Sequence, residues 1–258
     1  MANIRKNRVG EIGYNNFGSK MEIIRYNRND DIDVYFEEYD WACYNTQYDK
    51  FKKGSIKCPY EKNVYNIGYY GEGNYKCREN NKDTKCYKTW HDMLERCYSE
   101  DYQNKKPTYI GCEVCEEWHN FQNFAKWYED NYYECNEEKM HLDKDILYKG
   151  NKIYSPQTCV FVPERINTLF VKNNASRGEY PIGISYNKNG NNLRVRCNDE
   201  NNKVQYLGSF KLNQELEAFQ CYKKYKENII KQIANKYKVY IPNILYNAMY
   251  NYRIEIDD

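Results

Sequence analysis

The stretch MHLDKDILYKGNKIYSPQTCVFVPERINTLF, residues 140–170, constrains the fold of this chain most. Its β-branched and alternating residues predict one strand over 139–146 and a second over 158–162. Gly150 and Asn151 mark the loop between them. Pro163 opens a short helix, because proline suits the first helical turn. A ββα unit this small can bring an acidic strand end and a polar helix side chain to one cation.

The remaining sequence predicts more than one such module. At 258 residues the chain can form one large domain or two to three small ones. Lys and Arg number 39 against 37 Asp and Glu, a formal charge of +2, so there is no global basic signature of a nucleic-acid binder. The positive charge is local, set among Tyr and Asn. The 30 tyrosines match a low-GC codon bias. Their rings also fill small cores and stack on bases. No apolar run reaches the roughly 18 residues of a membrane span, and the opening MANIRKNRVG lacks a signal-peptide core. A cytoplasmic place in a bacterial cell is therefore the expectation. Eleven cysteines in such a chain predict reduced thiols or a metal site in place of a disulfide framework.

The predicted class is α+β, in three parts. Residues 1–78 read as a small β domain, with MEIIRY, DIDVYFEE and NVYNIGYYG as strands and an SH3-like barrel as one shape. KFKKGSIKCP between them is a basic turn that could track phosphate. ENNKDTK (79–85) is a polar linker. Residues 86–172 begin with a helix whose stripe is Trp90, Met93, Leu94 and Cys97, then a second carrying Trp118, Phe121, Phe124, Ala125 and Tyr128. These aromatics are core residues, and His91 and His119 are structural or surface histidines. VKNNASRGEYP (171–181), with Arg177 and Gly178, is a second linker. Residues 181–258 predict three antiparallel strands, turns at Asn189-Gly190 and 199–202, and a long amphipathic helix. Asn213 is its expected cap, and Leu216, Phe219, Tyr222, Tyr225 and Ile229 its buried stripe. A terminal helix comes after Pro242.

The pattern GISYNK…LRVRC…KVQYLGSF…ELEAFQCYKKY resembles the ethylene-response-factor type of DNA-binding domain. In that family the three-stranded sheet enters the major groove of double-stranded DNA. The resemblance implies DNA contacts from Lys188, Arg194, Arg196 and Tyr206. Strand alternation independently puts Arg194 and Arg196 on one face. The family's usual Trp on the middle strand is absent.

The 140–170 stretch resembles the ββα-metal core of HNH nucleases, in the form found in phage homing endonucleases. There the first strand ends in Asp-His: the Asp binds the cation, the His is the base, and a helix Asn is the second ligand. The resemblance implies Asp143 and Asn167 as ligands of Mg²⁺ and Asn151 as the middle Asn. Lys144 stands in the slot of the catalytic His. Its ordinary pKa of about 10.4 makes it a poor base. His141, two residues before Asp143 and on the same strand face, is the alternative base. The competing reading is a hairpin that keeps its shape without cleavage, with Asp143, Lys144 and Asp145 as a surface charge network.

Cys112-x2-Cys115, with Cys97 and Cys159, is a candidate Zn²⁺ set; buried thiols are the alternative, since only one C-x2-C is present. Two functions are expected. One is a phage-encoded DNA-binding protein with a Mg²⁺-dependent DNA-nicking core. The other is an inactive relative that binds a host protein, such as an anti-phage defence or CRISPR complex. Asp143→Ala separates them.

Overall fold

A computed structural model describes residues 7–170 and 179–258. The linker expected at 171–181, with Arg177 and Gly178, lies almost wholly outside the described residues. The class is α+β. The chain forms two compact units, residues 1–130 with 152–155, and residues 131–151 with 156–258. These bounds differ from the three expected parts. The hairpin at 140–163 contributes Val160 and Val162 to one apolar cluster shared with the C-terminal sheet and its helices. Val160 and Val162 therefore pack with the C-terminal elements.

In the first unit, β1 (Ile12–Tyr14), β2 (Lys20–Arg28), β3 (Asp31–Phe36) and β4 (Trp41–Thr46) make an antiparallel sheet in sequential order. Met21, Ile23, Ile32, Val34 and Phe36 bury one face, with Phe51 from α1 (Tyr48–Lys52) beside them. Part of the expected Lys-rich turn is therefore helix. The expected linker is also ordered. β5 (Arg78–Glu79) and β6 (Lys82–Asp83) pair as a hairpin, because Asn80 and Asn81 take positive φ of 49° and 61°. Thr84 Oγ1 then accepts from the Tyr87 amide at 3.1 Å and caps α2 (Lys85–Tyr98). The predicted stripe Trp90, Met93, Leu94 and Cys97 is buried. After α3 (Glu100–Lys105) and β7 (Glu113–Val114), α4 (Phe121–Asn131) buries Phe121, Phe124 and Ala125. Trp90 Nε1 donates to the Trp118 carbonyl at 2.7 Å, which seats the indole in the aromatic core. Past β8 (Met140–Asp143), β9 (Ile153–Tyr154) pairs with β7 in parallel.

In the second unit, β8 pairs antiparallel with β10 (Val160–Pro163), Asp143 opposite Val160 and Met140 opposite Pro163. β8 is shorter than the expected strand. Asp143 Oδ1 accepts from the amides of Asp145 and Ile146 at 2.9 and 2.7 Å, and this turn ends the ladder. α5 (Glu164–Phe170) starts directly after Pro163, its Arg165 amide donating to Glu138 at 3.0 Å. Next, β11 (Ile184–Asn187), β12 (Asn192–Asn198) and β13 (Val204–Phe210) form an antiparallel sheet in order. Ile184, Leu193, Val195 and Cys197 are buried with Ala218, Phe219 and Tyr222 of α6 (Glu215–Tyr237). α7 (Asn243–Tyr250) adds Leu245 and Met249 to that core. Two details depart from the sequence reading. α6 is preceded by Gln214, not capped by Asn213, and Gln214 makes no side-chain cap bond. Leu216 is 60% exposed, because it lies in the first turn, before the helix reaches the sheet.

Candidate nucleic-acid interface and hairpin site

The β11–β13 sheet has two unlike faces. Period-2 alternation buries Leu193, Val195 and Cys197 and turns Arg194, Arg196 and Asn198 outward. Arg194 sits between Ser185 and Ser209 in register, and Arg196 opposite Tyr206. Register shifts between Val195 and Arg196, where Gly208 at φ 149° lets β13 carry an extra residue. The bulge keeps Tyr206 on the arginine face, where it is 60% exposed and bonds Ser209 Oγ at 2.7 Å. Lys188 is exposed in the turn beyond β11. Among the described residues neither Arg194 nor Arg196 has a carboxylate within ion-pair distance. The nearest acidic turn is self-satisfied. Asp199 accepts from the Asn201 and Lys203 amides and from Gln205 Nε2, and these bonds hold its carboxyl below the usual range. The four residues expected to touch DNA thus lie on one exposed sheet face and its adjoining turn.

The hairpin site gathers differently. Asp143 closes β8, half-buried, with Asn151 seven residues beyond Lys144 in the loop. Asn151 Nδ2 donates to the Lys144 carbonyl at 2.7 Å, so the middle Asn ties the loop back to the strand end. Burial first, and Asp145 second, push the Asp143 carboxyl up to about 6, against the two amides that bond its Oδ1. Asp143 Oδ2 makes no hydrogen bond among the described residues. Asn167 is half-buried on α5, the helix packed on β8 and β10. His141 stands on β8 opposite Val162, half-buried.

Lys144 is not the surface charge of the non-cleaving reading. It is 8% exposed, and its Nζ lies 3.3 Å from Asp145 Oδ2. Asp145 is exposed and Asp143 half-buried, so the three do not form one solvated network. A buried, ion-paired ammonium is a donor with no acceptor lone pair, which is the wrong chemistry for taking a proton from water.

The four cysteines are reduced thiols, with Cys97, Cys112 and Cys159 buried and Cys115 half-buried. Burial pushes the Cys115 thiol up. Among the described residues, the group of three metal-ligating side chains with ligand atoms within 4.8 Å is His91, Asp92 and Glu95, and it contains no cysteine. His91 is half-buried, 5.3 Å from the Tyr65 ring centroid, a packing that the helix stripe gave no sign of. His119 is structural, its Nε2 3.0 Å from the Val114 carbonyl.

Sequence reasoning also missed the contacts beside the hairpin loop. Lys149 Nζ bonds Asp258 Oδ2 at 2.6 Å and the Arg253 carbonyl at 3.0 Å. Tyr252 packs on Phe170 with ring centroids 4.7 Å apart. No local pattern pairs residues 109 positions apart, so these contacts carry no sequence signal. Among the described residues no helix is long and apolar enough to cross a membrane. No family model, no curated protein and no solved structure matches this chain.

Proposed function

We propose that this chain is a phage-type DNA-binding protein that lays the outer face of its β11–β13 sheet in the major groove of double-stranded DNA. The observation that carries the reading is the pair Arg194 and Arg196, projecting from the face opposite α6 with no carboxylate partner among the described residues. An arginine fork without a carboxylate suits phosphate oxygens or the O6/N7 edge of guanine. A short antiparallel sheet fits a groove about 12 Å wide. Ser185, Ser209 and Tyr206 add neutral hydroxyls beside the two cations. The helix behind the sheet covers Leu193, Val195 and Cys197, which leaves the arginine face outward.

The hairpin is the second, HNH-like part of the proposal. Asp143 Oδ2 and Asn167 would hold a hard cation such as Mg²⁺. A half-buried carboxylate beside Asp145 suits that positive charge. The cation would stabilise charge on a scissile phosphate. Lys144 supplies no base, which leaves His141 as the group that could take a proton from water. The reading commits to binding first, with nicking as its separable extension.

The test is fluorescence anisotropy with duplex DNA across a salt series. Arg194→Ala with Arg196→Ala lowers affinity by at least tenfold and reduces the log–log salt slope by about 2. Equal affinity for the variant and the native chain overturns the reading, and capture of a protein target would then take its place. Plasmid nicking with Mg²⁺, abolished by Asp143→Ala and by His141→Ala, would add catalysis to binding. Binding without nicking leaves a DNA-binding protein on a non-cleaving hairpin.

A further inference from the structure

In the loop that leaves β8, the charge of Lys149 is met by a residue far along the chain. Lys149 lies between Asp143 and Asn151 in sequence, on the loop that the Asn151 bond closes. Its Nζ donates to Asp258 Oδ2 at 2.6 Å and to the Arg253 carbonyl at 3.0 Å, and it sits 5.4 Å from the Tyr252 ring centroid. Residues 252–258, YRIEIDD, carry three carboxylates and one guanidinium. Ile254 anchors the segment: it is buried in the core and its amide donates to Glu227 at 3.0 Å. Asp258 is 6% exposed, and its Oδ2 also accepts from the Glu255 amide at 2.8 Å. Burial first, and then the charges of Asp258, Asp145 and Asp143, push the Tyr252 hydroxyl up. The segment is bonded to the hairpin loop through Lys149.

A carboxylate oxygen at 2.6 Å from an ammonium is the chemistry a phosphate oxygen would offer the same lysine. We propose that residues 252–258 are an acidic strap that occupies Lys149 in place of a nucleic-acid phosphate, so that DNA engages the hairpin loop only by displacing Asp258. The inference rests on the reading of this chain as DNA-directed and names a regulation of it. Ile254 holds the segment in the core. Displacing Asp258 breaks both bonds that its Oδ2 accepts, from Lys149 Nζ and from the Glu255 amide, and a phosphate oxygen replaces the carboxylate on Lys149. The negative segment also repels DNA while it is seated.

The experiment compares the full chain with Asp258→Asn, Lys149→Ala and the double variant, by anisotropy with a duplex at low salt. Asp258→Asn keeps the size of the side chain and removes its charge. It is expected to bind three- to tenfold tighter than the native chain, and the gain is expected to vanish in the Lys149→Ala background. Equal or weaker binding by Asp258→Asn overturns the strap. Hydrogen exchange on the native chain covers the case in which that variant does not fold. Added duplex is expected to deprotect the amides of Glu255 and Asp258, and unchanged or greater protection overturns the proposal. A gain through Lys149 that persists in the Arg194→Ala, Arg196→Ala chain, with no loss from those arginines, keeps the strap and removes the sheet interface. Arginine-dependent binding with no effect of Asp258→Asn does the reverse. No duplex binding by any of these chains removes both.

Discussion

Asn151 reaches back seven residues to the carbonyl of Lys144, an N–H···O bond of 2.7 Å that holds the loop after β8 to the strand end. Its side chain does for the loop what a ladder bond would do for a longer strand. Asn151→Ala leaves that carbonyl without its donor, at a cost of about 1 kcal/mol. The expected result is a melting point lower by about 2–4 °C in differential scanning calorimetry. An unchanged melting point would show that water replaces the amide at no cost.

Gly183 has φ 80°, and a Cβ there would fall 2.0 Å from Tyr222 Cδ2. Its carbonyl accepts from the Arg196 amide at 2.9 Å, so this glycine also positions the arginine face. Gly183→Ala combines left-handed strain with an overpacked ring, and about 3 kcal/mol or more of stability is lost. Urea unfolding followed by circular dichroism measures it. DNA affinity at subdenaturing temperature should fall in the same variant.

Leu216 and Phe219 look alike in an amphipathic stripe, yet the first is 60% exposed and the second 3%. Leu216→Ala should change stability by less than about 0.5 kcal/mol, whereas Phe219→Ala should cost about 3–5 kcal/mol. Paired urea titrations decide. A large loss at Leu216 would mean that its exposed side chain is covered in solution.

The first unit carries its own acid sensitivity. Arg25 bonds Asp33 at 2.5 Å and Asp31 at 2.7 Å, and those bonds hold Asp31 down at about 2 and Asp33 below the usual carboxylate range. Because both folded values are depressed, the stabilisation is complete above the ordinary carboxylate pKa of about 4 and is lost as pH falls toward 2. Asp33→Asn should therefore be less stable than the native chain at pH 7, with the difference shrinking between pH 4 and pH 2. Thermal melts across that range test it. A difference that stays constant with pH would remove the ion pair from the explanation.

Much of the framework could be read locally, and particular residues show why. Trp90, Met93, Leu94 and Cys97 recur at helical spacing, and the structure buries all four. Leu193, Val195 and Cys197 alternate with Arg194 and Arg196, which defines an inner and an outer sheet face before any fold is known. Asn80 and Asn81 looked like a linker because polar residues serve both linkers and tight hairpin turns. Pairing of Arg78 with Asp83 and of Glu79 with Lys82 decided between them.

By itself the sequence determined the α+β class, the order of β8, β10 and α5 and the arginine face of β12, since these arise from periodicity, turn residues and strand alternation within short windows, whereas β9 in the loop between β8 and β10 needed its distant partner β7. The tertiary structure decided the rest. It turned Lys144 inward to Asp145, left Leu216 in solvent, drew the hairpin into the core of the C-terminal sheet and set Asp258 on Lys149. Each of these depends on burial or on partners distant along the chain. Desolvation and long-range contact are properties of the folded surface, and no local window of residues encodes them.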